Sequence, residues 1–173
     1  RLGYEVRLKG DGDQRKAVVG TPPGRRAFFV GDLVDSGPSS PEVLRIVMDM
    51  VEAGQALAVP GNHDVKLLRW LDGRNIKMTH GIDRTIAQFE TEPPSFKPRV
   101  KRFLDGLISH AWVEGGRLAV AHAGIKEDMI GRASGTVREF CLYGETSGET
   151  DEFGLPVRYN WAAEYRGTTA IVY

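Results

Sequence analysis

Short apolar runs that stop abruptly at polar loops set the rhythm of this chain. Ala27-Phe28-Phe29-Val30 is continuous and apolar and is followed at once by Gly31-Asp32, the pattern of a buried strand that delivers a polar loop. Ser40 can cap a helix with Pro41 at its first position, and Val43, Leu44, Val47, Met50 and Val51 recur at helical spacing until Gly54. A second run, Ala56-Leu57-Ala58-Val59, ends in Pro60-Gly61-Asn62-His63-Asp64. The order strand, loop, helix, strand, loop, helix predicts an α/β arrangement, in which ligands bind in the crevice beyond the strand ends. The loops at Asp32 and at Asn62 are therefore expected on one crevice.

Elsewhere the pattern is weaker. Residues 1–26, rich in Gly and charge, read as an irregular entry, and from about Asp72 to Pro98 the periodicity blurs, with Pro93-Pro94 and Pro98 marking loops. Val100, Phe103, Leu104 and Leu107 predict a further helix. Ala111-Trp112-Val113, the turn Glu114-Gly115-Gly116 and Leu118-Ala119-Val120-Ala121 predict a β-hairpin that ends in His122-Ala123-Gly124. Thr136 to Leu142 reads as a short helix, Gly144 to Pro156 as a loop, and Ala170 to Tyr173 as another buried strand.

Composition narrows the class. At 173 residues, without repeats, the chain is expected to be one domain, residues 1–173. Lys plus Arg number 23 and Asp plus Glu number 23, so no global charge excess draws polyanions or anionic membranes, and any phosphate binding must be local. No apolar run approaches the roughly 20 residues of a membrane span. The lone cysteine, Cys141, reads as a small buried hydrophobe. A soluble, cytoplasmic protein without a membrane partner is expected. The chain begins at Arg1 rather than Met and stops within an apolar run, and it is expected to be cut at both ends.

The strand ends carry the chemistry. They deliver Asp32, then Asn62, His63 and Asp64, then His122. Carboxylate oxygen, amide oxygen and imidazole nitrogen make a mixed hard-to-borderline ligand set suited to Mn²⁺, Fe or Zn²⁺, rather than a thiolate site. Asp32, with two oxygens, could bridge a pair of ions that clamp an in-line displacement at phosphorus. His63 is the candidate acid, and Asp64 the carboxylate expected to orient its ring. Taken singly each piece is weak, since a Gly-Asp after a strand is commonly a turn and a lone His commonly structural. His80, beside Gly81, is expected in a turn, and His110 needs no special role. Lys97, Arg99, Lys101 and Arg102 read as a solvated helix face.

Together, Gly31-Asp32-Leu33-Val34-Asp35, Gly61-Asn62-His63-Asp64 and His122-Ala123-Gly124, spaced by about 30 and then 60 residues, resemble successive blocks of the calcineurin-like metallophosphoesterases. Val30 to Pro38, Lys66 to Leu71, His80-Gly81, and Glu152 through Trp161 to Tyr165-Arg166-Gly167 are similar to the phosphatase module of bacterial polynucleotide kinase-phosphatases. The resemblance implies an α/β sandwich, its sheets flanked by helices, with Asp32 bridging two divalent metals, most readily Mn, with Fe, Ni or Zn as alternatives. Asn62 and His122 would be metal ligands, Asp35 a supporting partner, and His63 and Asp64 the acid and its orienting group. It further implies removal of phosphate from RNA ends or nucleotides, with kinase and ligase-like domains in the parent chain. Alternatives are a dinucleoside tetraphosphatase, a serine/threonine phosphatase or a non-catalytic binding module of the same fold. Two departures stand out: no Asp-x-His block precedes Asp32 and no Gly-His block follows His122, so this stretch alone is expected to be inactive. Ser36 stands where these families usually carry a phosphate-gripping Arg. Arg158 is a candidate replacement, weighed against a plain surface role.

Overall fold

The computed structural model describes residues 2–154 and 156–173; Arg1 and Leu155, the latter within the resemblance near Trp161, lie outside the described residues. The chain divides into two compact units, one ending at Leu107 and the other spanning Ile108–Tyr173.

In the first unit, β1 (Glu5–Lys9) and β2 (Lys16–Gly20) form an antiparallel hairpin in which Glu5 faces Gly20 and Lys9 faces Lys16. This replaces the irregular entry expected for residues 1–26. The period-two signal lies in β2, where Ala17 and Val19 are buried with Met50 and Ala56 while Val18 stays exposed. Five residues of alternation among glycines and charges are too few to stand out in the sequence.

β3 (Ala27–Phe29) is followed by helix α1 (Ser40–Glu52) and β4 (Ala56–Ala58), and the two strands pair in parallel with Ala27 opposite Ala56. The crossover helix is the predicted one, except that Ser39 occupies the cap position and Val43, expected on the apolar face, is exposed. Ser40 instead turns its hydroxyl toward the Asp35 N–H. Leu44, Val47 and Met48 are completely buried in the main core, and Met50 packs in the cluster under the hairpin. Burying each such side chain stabilises the fold by about 1.5–3 kcal/mol. Arg45, also buried, is paired with Glu92 and lies 4.3 Å above the Phe96 ring centroid. Losing one partner of such a pair costs about 3–5 kcal/mol because the other charge is stranded.

Three helices complete this unit: α2 (Asn62–Leu71), α3 (Ile82–Glu90) and α4 (Phe96–Asp105). α3 lies in the stretch where the sequence periodicity blurs. Its buried stripe is Ile82, Thr85 and Phe89, and the polar Thr85 interrupts the apolar pattern. Pro98, expected to mark a loop, falls in the first turn of α4, where its missing N–H would have had no intrahelical acceptor.

In the second unit, β5 (Ala111–Val113) and β6 (Leu118–Val120) form the predicted hairpin. Then come α5 (Gly135–Tyr143), β7 (Thr146–Thr150), β8 (Pro156–Arg158), α6 (Trp161–Glu164) and β9 (Ala170–Val172). β9 pairs in parallel with β6, and β7 with β8 antiparallel. Two expectations change. Part of the 144–156 loop is the exposed strand β7, and β9 is a sheet edge with Ala170 and Val172 exposed rather than a buried strand. The core of this unit is Ala119, Ala121, Ile125, Val137 and Cys141. Among the described residues no helix is long and apolar enough to cross a membrane.

Candidate active site

The parallel pairing of β3 and β4 brings their trailing loops out at the same end of the first unit. The loops touch because two positions carry no side chain. A Cβ on Gly31 would lie 2.6 Å from Gly61 Cα, and a Cβ on Gly61 would lie 2.9 Å from Asp32 Cγ and nearer still to its Oδ1. Gly31 also has φ +84°, a conformation glycine adopts without penalty. Asp32 and Asp35 take positive φ as well, 52° and 76°. Backbone held in that region costs of order 1–3 kcal/mol and is sustained only where the surroundings impose it. The His63 N–H donates to Asp32 Oδ1 at 3.2 Å. The Asp32 carboxylate therefore sits at the N-terminus of α2, the end at which the helix dipole favours negative charge.

His63 is held by a different carboxylate from the one expected. Its Nδ1 lies 2.7 Å from Asp35 Oδ2, and Asp35 Oδ1 accepts a hydrogen bond from Thr85 Oγ1 at 2.6 Å. The Asp35 N–H donates to Thr85 Oγ1 at 3.1 Å, and Ser40 Oγ is 3.1 Å from the same hydroxyl. The Asp35 side chain is fully buried, whereas that of His63 is 21% exposed. A fixed carboxylate on Nδ1 selects the tautomer with its proton there and leaves Nε2 as the nitrogen available for chemistry.

Asp64, expected to orient His63, faces the other way. Its Oδ1 accepts from the Leu33 N–H at 3.0 Å and its Oδ2 from the Gly61 N–H at 2.8 Å. As the third residue of α2, Asp64 reaches back to the cap residue Gly61, which has no side chain to reciprocate. Asp64 thereby ties the loop after β3 to the loop after β4. Burial pushes its carboxyl up to about 6; the Gly61 and Leu33 N–H groups pull it down and the charge of Asp32 pushes it further up.

Two residues beyond the predicted set reach this cluster. His80, in a turn at φ 62°, places its ring edge-on to His63 with centroids 6.3 Å apart. Lys66 steadies that turn by donating to the Thr79 carbonyl at 2.7 Å. Arg84 brings a guanidinium nitrogen to 3.4 Å from the Asp35 carbonyl, next in the chain to Ser36. Neither Arg84 nor Thr85 belongs to a sequence block, and both arrive on α3, whose pattern the sequence hides.

The remaining candidates lie in the second unit. His122 follows β6, half-buried, in a loop whose Ala123 N–H donates to the Cys141 carbonyl at 2.7 Å. Arg158 is on β8, all of which is exposed. Among the described residues no three His, Cys, Asp or Glu side chains form a cation-holding group. Asp32 and Asn62 are nonetheless oxygen donors of the kind divalent cations take, and Asn62 lies between two residues whose backbones meet the Asp32 carboxylate. The negative charge that Asp64 senses from Asp32 is charge a cation would offset. The first unit thus fits a metal as part of a ligand set.

Comparison with known proteins shows the family. The family model described as calcineurin-like phosphoesterase matches residues 13–170. The chain is 45% identical to the asymmetrical bis(5'-nucleosyl)-tetraphosphatase PrpE of Geobacillus thermodenitrificans, over 91% of this chain and 66% of that protein. It is 43% identical to the PrpE of Bacillus velezensis, over 100% of this chain and 68% of that protein. A solved structure described as a candidate diadenosine tetraphosphatase shares the fold with a TM-score of 0.51 at 22% identity, covering 84% of this chain and 60% of that one. The chain spans about two thirds of the length of the curated relatives it matches.

Proposed function

Because this chain belongs to the calcineurin-like phosphoesterase family, we propose that the protein carrying it is a metal-dependent hydrolase that splits dinucleoside tetraphosphates asymmetrically, into a nucleoside triphosphate and a monophosphate. The substrate class is supported by relatives 41–45% identical that carry the tetraphosphatase name. This reading replaces the RNA-end repair expected from the sequence. The chemistry is carried by one observation: His63 is held through Nδ1 by the buried Asp35, beside the Asp32 carboxylate.

Divalent cations, with Mn²⁺ the first choice, would supply charge neutralisation at the phosphoryl oxygens and activation of the attacking water. Asp32 and Asn62 are the proposed oxygen ligands of the first unit. His122 and Arg158 are the proposed ligand and phosphate contact of the second. Asp64 fixes the two loops that carry Asp32 and Asn62. When the phosphorus–oxygen bond to the departing nucleotide breaks, protonated His63 gives its Nε2 proton to the leaving oxygen. The neutral ring that results keeps its Nδ1–H on Asp35, which also stabilises the imidazolium before transfer. Arg84 supplies positive charge near Ser36, where a phosphate-gripping arginine would otherwise stand.

The test is hydrolysis of diadenosine tetraphosphate by the full-length protein with Mn²⁺, against 5'- and 3'-phosphorylated RNA ends and a phosphopeptide. ATP plus AMP is the expected product pair, with Asp32→Ala lowering the rate more than about 100-fold. Preference for RNA ends, two ADP as product, or an Asp32→Ala rate near wild type would overturn the proposal.

A further inference from the structure

A cavity of about 630 Å³ opens within the second unit. That volume falls in the range of about 300–1,000 Å³ typical of small-molecule sites. Three aromatic side chains line it. Trp161 is seated against Gly124, where a Cβ would come within 2.8 Å of its Cη2, and is braced by the rings of Tyr173 and Phe140 at centroid distances of 5.0 and 6.1 Å. Tyr165 is anchored by its hydroxyl, which donates to the Thr169 carbonyl at 2.8 Å. The Tyr159 backbone N–H donates to the Glu145 carbonyl at 2.9 Å, yet the residue is 55% exposed. The fold fixes where Tyr159 stands and leaves its ring uncovered.

The charges around these rings decide what fits. Three carboxylates, Glu127, Glu145 and Glu164, outnumber two cations, Lys126 and Arg166. Lys126 Nζ is already paired with Glu145 at 2.7 Å, and one guanidinium nitrogen of Arg166 donates to the carbonyls of Ala163 and Tyr165, each at 2.8 Å. A polyphosphate would meet net negative charge here. A neutral ligand with a flat aromatic ring and several hydrogen-bond donors would meet stacking faces and acceptors instead. The cavity is also continuous in sequence with a candidate metal ligand, because the loop that begins at His122 reaches it at Lys126.

We propose that this cavity is a nucleoside subsite. The base stacks on Tyr159 and Trp161, the Asn160 amide can both donate to and accept from its edge, and the carboxylates of Glu145 and Glu164 accept from ribose hydroxyls or an exocyclic amino group. The choice of a nucleoside rests on the dinucleoside reading given above.

Calorimetric titration of the full-length protein with adenosine, with a chelator present, isolates this site from metal and from turnover. Saturable binding is expected. Tyr159→Ala should weaken it about 5- to 150-fold, the range of one lost base–aromatic stack, and Tyr159→Phe should stay within about twofold. In the hydrolysis assay Tyr159→Ala should raise KM for diadenosine tetraphosphate by a similar factor with kcat little changed. Absence of adenosine binding, an unchanged affinity in Tyr159→Ala, or binding of tetramethylammonium in place of adenosine overturns the subsite. Adenosine binding that depends on Tyr159 in a protein that leaves diadenosine tetraphosphate intact upholds the subsite and removes the hydrolase reading. Hydrolysis with KM indifferent to Tyr159→Ala does the reverse.

Discussion

Adding a single methyl group at Gly61 is the most direct probe of how the two strand-end loops meet. The backbone angle there, φ −96°, suits alanine, so the whole penalty comes from what the new carbon strikes. It would lie 2.9 Å from Asp32 Cγ and closer to the Asp32 Oδ1 and N, well inside ordinary contact. Overpacking of this sort costs about 1–3 kcal/mol. Relief requires the loops to part, which strains the bonds from Gly61 N–H to Asp64 and from His63 N–H to Asp32, each contributing about 0.5–1.5 kcal/mol or more because the acceptors are charged. The sum is about 2–6 kcal/mol. At about 2–4 °C per kcal/mol for a chain of this size, Tm should fall by about 4–24 °C in scanning calorimetry. Displacing Asp32 by even an ångström should also lower hydrolysis about 100-fold. Gly135→Ala is the control: a Cβ there meets nothing within 4 Å, and at the start of α5 alanine should be neutral or stabilising by up to about 1 kcal/mol. If Gly61→Ala melts within about 1 °C of wild type and keeps full activity, the loops are not in the contact described.

Thr85→Val keeps the shape of a buried side chain while removing the hydroxyl that donates to Asp35 Oδ1 and accepts from the Asp35 N–H. A loss of about 1–3 kcal/mol is expected in urea unfolding, together with a lower kcat; unchanged values of both would show that Asp35 needs no such anchor. His110 gives a pH dependence. Burial holds its pKa below 6.5, and its Nε2 accepts from the Gly131 N–H at 2.9 Å, a role only the neutral ring can fill. The unfolded chain therefore takes up a proton more readily than the folded one. The stability contributed is full above pH 6.5 and is lost as pH falls from there through the lower folded value. Urea midpoints at pH 7.5 and pH 5 should differ more for wild type than for His110→Gln, and equal differences would refute the assignment.

The parts of the site legible in the sequence were those in which a short apolar strand runs straight into a polar block, at Asp32 and at Asn62-His63, because both the strand and the donors are contiguous there. The partner of His63 was not legible by adjacency. Chain neighbours at the start of a helix point in different directions, and Gly61-Asn62-His63-Asp64 reads as a cap followed by a third-position carboxylate, a pattern that turns Asp64 back toward Gly61. That signal was present in the letters. Thr85 and Arg84 gave none, since the only regularity on α3 is a stripe with a polar member in its middle. The entry hairpin was hidden for a related reason: two buried residues, Ala17 and Val19, are all that distinguishes β2 from a charged loop.

The Asp35 carboxylate has one oxygen on the His63 ring and the other on α3, a helix that contributes none of the proposed metal ligands. The pose of the proposed proton donor is consequently a property of how that helix beds into the core through Ile82 and Phe89. Sequence change on the buried side of α3 would then tune turnover from a distance, and a laboratory selecting for faster or slower variants would find its hits where no reacting atom lies.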